Sequence, residues 1–149
     1  ATLGVGLLVV GIIFALSGDQ MCDKADEAYS QMLRAEEKIN KICDYLIDLR
    51  QTSDEYLRTL VEVKNIYKGH LNTLEHLVNT GRTDWNNYIE HERLVIENTV
   101  LLVGLLYNMC KVELVIKSDG EDGINTINKV AVSKSIHKAN TLMADRNLR

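Results

Sequence analysis

Residues 22–78 read CDKADEAYSQMLRAEEKINKICDYLIDLRQTSDEYLRTLVEVKNIYKGHLNTLEHLV, a stretch with no proline and a single glycine, Gly69, in which apolar side chains recur on one seven-residue frame. With Cys22 at position a, the a and d positions are Cys22, Ala25, Tyr29, Met32, Glu36, Ile39, Cys43, Leu46, Arg50, Ser53, Leu57, Leu60, Lys64, Tyr67, Leu71, Leu74 and Val78. Thirteen of these seventeen are apolar or aromatic. The g positions, Ala28, Ala35, Ile42, Leu49, Tyr56, Val63, His70 and Leu77, widen the stripe to the a/d/g face of a helix buried in a bundle. The f positions, among them Glu27, Arg34, Lys41, Asp48, Glu55 and Glu62, carry the polar side chains expected of a solvated back.

The stripe lapses once. Arg50 to Glu55 are six polar residues in a row, and Thr52-Ser53-Asp54-Glu55 has the spacing of a capping box, in which a hydroxyl closes a free amide and a glutamate reaches back. Helices near sixty residues are uncommon, so the reading is a turn or strong bend at 51–53, although the frame keeps its phase across the gap. Glu37–Lys41 and Asp54–Arg58, acidic residue first at i,i+4, support helix on either side.

Upstream, Leu3–Leu16 (LGVGLLVVGIIFAL) is uncharged and apolar apart from its glycines, which predicts a helix buried on all sides or a short membrane segment. Gly4 and Gly11 lie one heptad apart and would leave a smooth face for a close helix neighbour. Downstream, Asn79-Thr80-Gly81 ends the long stretch, with Gly81 as a left-handed cap, and Thr83 or Asp84 opens a third helix to about Lys117. Within it, residues 98–110 (NTVLLVGLLYNMC) are uncharged all round, too short a run to span a bilayer, and read as a core helix packed against Leu3–Leu16. Residues 118–123 (SDGEDG) form a loop without the ligand pattern of a calcium site, and a last, weaker amphipathic helix covers 124–148.

The expected architecture is therefore all-α: an antiparallel helical bundle of long amphipathic helices (about 19–50, 53–79, 84–117 and 124–148) with an apolar N-terminal helix. Residues 1–149 make a single domain. Zero proline and few aromatics favour this class over a sandwich or barrel. The chain opens at Ala1 without an initiator methionine, which suggests part of a longer polypeptide.

A net charge of −4, with Lys111, Lys117, Lys129, Lys134 and Lys138 scattered singly, argues against nucleic acid as a partner. Cys22, Cys43 and Cys110 have no metal-ligand spacing. Cys22 and Cys43, ~32 Å apart on one helix, could not bridge, so all three read as buried thiols in a reducing cytoplasm. None of His70, His76, His91 and His137 follows a glutamate by three residues, so the di-iron carboxylate pattern is missing. His91-Glu92 starts a zinc-protease motif that Val95 fails to complete, and His70 reads as a helix-flank residue. Glu36, Arg50 and Lys64 at alternate a positions read as side chains reaching past the rim to water, ahead of a buried polar ladder that fixes register. No residue is nominated as catalytic, cofactor-binding or metal-ligating, and no cofactor is implied.

The glycine-spaced apolar run LGVGLLVVGIIFAL leading into the acidic-basic heptad helix DKADEAYSQMLRAEEKINKI resembles bacterial proteins of the chemotaxis-protein-like kind. More distantly it resembles α-helical pore-forming toxins. The resemblance covers roughly the first half of the chain and implies a helical-bundle protein with an interaction or signalling role. The expected function is accordingly non-catalytic, not an enzyme, with a protein partner or a homo-oligomer, in the cytoplasm. The alternative is a membrane-anchored or membrane-active protein that uses Leu3–Leu16.

Overall fold

The computed structural model describes residues 18–118 and 123–148. The apolar segment 3–16, with its expected packing against Val100–Cys110, lies outside the described residues, as does most of the 118–123 loop. The chain divides into two compact units, Ala1–Lys41 and Ile42–Arg149. The class is all-α: the described residues form three α-helices, one 3-10 turn and a pair of two-residue strands.

α1 runs without interruption from Gly18 to Asn79, so the expected turn at 51–53 is not formed. The polar run has a different purpose. Asp48, Gln51, Thr52 and Glu55 face Lys129, Val132, Ser133 and Ile136 of the last helix across a polar cavity of about 340 Å³. Lys129 Nζ reaches Asp48 at 2.7 Å. Arg50 and Asp54 form an i,i+4 ion pair at 3.8 Å, and Tyr56, one residue past the run, is fully committed to the core. Polar residues were needed there without any break in the backbone.

The buried seam of α1 is also rotated from the expected one. In the second unit the buried positions are Tyr56, Thr59, Val63 and Leu77, with Leu60, Ile66, Tyr67 and Leu74 half-buried. These are the g, c and d positions, whereas the a residues Leu57, Leu71 and Val78 are exposed. The seven-residue repeat was right and the face was off by one neighbouring row, with c taking the place of a. In the first unit every side chain from Cys22 to Lys41 is exposed.

α1 ends as the sequence indicates. Gly81 takes φ +74°, and Arg82 N–H donates to the Leu77 carbonyl at 3.0 Å, closing the terminal carbonyls with a left-handed residue. Asp84 then caps a 3-10 turn, Trp85–Asn87, rather than an α-helix, its carboxylate accepting from Asn86 N–H at 3.0 Å. α2 therefore begins later than expected, at Glu90, and ends at Cys110 rather than Lys117. Ile89 has no capping side chain. Glu92 supplies the cap, accepting from Ile89 N–H at 3.0 Å while Arg82 holds both its carboxylate oxygens, at 2.5 and 2.7 Å.

Beyond α2 the β-branched Val115–Ile116 (β1) pairs antiparallel with Thr126–Ile127 (β2), Val115 opposite Ile127. This small hairpin replaces the ends of two expected helices. Asn128 caps α3 (Lys129–Asp145), accepting from Ala131 N–H at 3.2 Å. The core gathers Tyr56 and Val63 of α1, Leu102, Leu105 and Met109 of α2, and Val132, Ala139 and Met143 of α3. Tyr56 ties all three together, its hydroxyl donating to the Met109 carbonyl at 2.7 Å and lying 3.1 Å from Ser135 Oγ.

Candidate interaction surface

α3 turns Val132, Ala139 and Met143 inward, which puts Lys134, His137, Lys138 and Thr141 on its outer face. Leu101 of α2 and Leu142 of α3 form the floor of a groove of about 520 Å³, rimmed by Lys134, His137, Lys138 and Arg146, with Asp145 at its end. Arg146 lies 4.0 Å from Glu97, a partly exposed pair that leaves it facing the groove rim. Lys134 and Lys138 were read as scattered, but their i,i+4 spacing stacks them on one helix face. That spacing, with Arg146 further along, was the signal available in the sequence. Val130, 80% exposed, continues this face toward the start of α3.

α2 buries one face and leaves another open, so it is not covered on several sides by the described residues. Val100, Val103 and Tyr107 form an exposed apolar stripe, Val100 being 68% exposed. Cations close its two ends: Lys111 Nζ sits 4.2 Å from the Tyr107 ring centroid, and the Arg93 guanidinium 5.7 Å from that of Trp85. By length and composition α2, with a mean hydropathy of 1.3 over its window, is the one described helix apolar enough to cross a membrane, and a third of that window is buried.

A third open surface is the early part of α1. Tyr29, Met32, Leu33 and Ile39 are all exposed, at 46 to 63%. Glu36 lies among them in sequence and is exposed too, in accord with a side chain that reaches water.

Among the described residues no three of His, Cys, Asp and Glu cluster as metal ligands. His70 is half-buried, and that burial, with a smaller contribution from nearby His91, holds its pKa below the ordinary imidazole value. Burial likewise raises the Tyr56 phenol above its usual range, against a smaller opposing effect of the Ser135 hydrogen bond. All three cysteines are free and exposed, not buried as expected. Cys22 and Cys43 occupy the a row that the rotated seam leaves outside, and Cys110 ends α2 beyond the core residue Met109.

Comparison with protein-family models, with curated proteins and with solved structures finds no match for the chain.

Proposed function

We propose that this chain is a non-catalytic helical-bundle domain of a bacterial protein that works by pairing with another polypeptide. In this reading α1 from Ile42, α2 and α3 pack in alternating, antiparallel directions, which the shared core supports. One observation carries the functional part: the exposed row Tyr29, Met32, Leu33 and Ile39 on a helix that continues into a well-packed unit. Each such side chain left in water forgoes ~1.5–3 kcal/mol of burial, and helix in that setting draws most of its stability from a packed apolar face. A partner helix supplies that face.

The triple variant Tyr29→Gln/Met32→Gln/Ile39→Gln tests the reading. The melting temperature of the purified protein is expected to stay within a few degrees, since surface substitutions are usually within about ±0.5 kcal/mol. A photo-crosslinking residue at position 39, activated in the producing cell, is expected to yield polypeptide adducts; adducts to lipid alone would overturn the reading.

A membrane-associated role is the second reading. The exposed Val100–Tyr107 stripe with Lys111 at its end, on a helix of spanning length, favours it. Leu3–Leu16 would act in the same role. Co-flotation with vesicles, abolished by Val100→Asp/Val103→Asp, would support it.

A further inference from the structure

The chain carries two open surfaces of opposite charge, and we infer that the acidic, apolar-striped segment 22–39 of α1 in one copy docks in the cation-rimmed α2/α3 groove of a second copy. This rests on the pairing reading and adds the identity of the partner. From Cys22 to Ile39 there are five carboxylates and three cations. The groove is lined by three cations, Lys134, Lys138 and Arg146, and one carboxylate, Asp145, while Lys129 turns instead to Asp48 and Arg146 also lies 4.0 Å from Glu97. A chain with a net charge of −4 thus segregates its charge, so that each of these two surfaces finds its complement on a second copy.

Dimensions agree as well. Asp26 and Glu36, which fall on or beside the apolar row, are ten residues apart, ~15 Å along a helix. Lys134 and Arg146, at the two ends of the groove rim, are twelve apart, ~18 Å. Between the acids, Tyr29, Met32 and Leu33 are the exposed apolar side chains, and between the cations Leu101 and Leu142 form an apolar floor. A helix laid along the groove seats apolar on apolar while its carboxylates meet the lysines and Arg146.

Such a contact joins unlike surfaces. It propagates head to tail, giving a ring or an open chain of copies rather than a closed two-fold dimer.

The test is analytical ultracentrifugation of the full chain with circular dichroism as a folding control. The unaltered protein is expected to associate with rising concentration, and to do so less in 0.5 M than in 0.05 M salt. Lys134→Glu/Lys138→Glu and Asp26→Lys/Glu36→Lys are each expected to weaken association at least about tenfold while keeping helicity. Mixed one to one, the two reversed proteins are expected to associate again, because each then offers the other a complementary surface. A monomer at every concentration overturns the inference, as does association that only the α1 variant weakens, which signals symmetric α1–α1 pairing. Groove reversal that releases the protein from anionic phospholipid vesicles without changing its association identifies the groove as a lipid site, and also overturns it. If copies do not associate yet position 39 crosslinks to a different polypeptide, the pairing reading stands and this partner assignment fails.

Discussion

Tyr56 of α1 is joined by its hydroxyl to both other helices of the second unit. Its ring is buried, and its hydroxyl satisfies a carbonyl in the last turn of α2 while meeting Ser135 of α3. Tyr56→Phe is expected to cost about 1 kcal/mol, the net value of one buried hydrogen bond, and Tyr56→Ala about 3–5 kcal/mol, with denaturant unfolding as the measurement. The phenol's raised pKa has a defined sign. The fold favours the neutral form, so this contribution is intact below the ordinary tyrosine value near 10 and is lost as pH rises through the higher folded value. Tyr56→Phe should flatten the alkaline limb of the stability profile. His70 acts at the other end. Its pKa is lowered in the fold, so its contribution is present above about pH 6.5 and is lost as pH falls through the folded value. His70→Gln should reduce acid sensitivity in that window, read from melting temperature against pH. Glu92 is buried and held by Arg82. Arg82→Ala strips a carboxylate and a helix cap of their partner and is expected to cost about 1–3 kcal/mol, moderated because Arg82 itself remains partly in water.

At the level of the elements, the unbroken α1 makes a prediction that separates it from the turn suggested by its polar run. Ser53→Pro is expected to cost about 3 kcal/mol or more, with loss of helical signal, because it removes a backbone hydrogen bond and clashes with the preceding turn. A turn at that place would tolerate it. The helical character of 19–79, though not its continuity through 51–53, the end at Gly81 and the helical nature of two later segments were legible from periodicity and from one glycine. The polar run was misread because a capping box and a polar patch facing a neighbouring helix share the same residues, and only the position of Lys129 and Ser133 tells them apart. Helix ends at 90, 110 and 129 were hidden for another reason. Asp84, Asn86 and Asn87 bond among themselves, and Val115 and Ile116 find their strand partners in Ile127 and Thr126, which no local pattern announces. The groove was legible only as an i,i+4 lysine pair, since its floor comes from another helix.

For the molecule as a whole, the described core is confined to the unit from Ile42 onward, and Leu102 lies at its centre with no exposed surface. Leu102→Asp is expected to abolish cooperative unfolding of that unit by burying an unpaired charge, whereas Leu102→Ala should leave it folded but weaker by about 2–5 kcal/mol. The way Tyr56 is tied has a consequence in time. Its two partners follow it by 53 and 79 residues. At ~5–20 residues per second of synthesis, α1 waits on the order of 4–16 s before Ser135 exists to receive it. Throughout that interval Val63 and Tyr56 have no complete site to enter, and the growing chain must be shielded by other means. A ribosome-stalled chain ending before Lys129 should accordingly be cut by protease between Tyr56 and Val63, and resist once α3 has emerged.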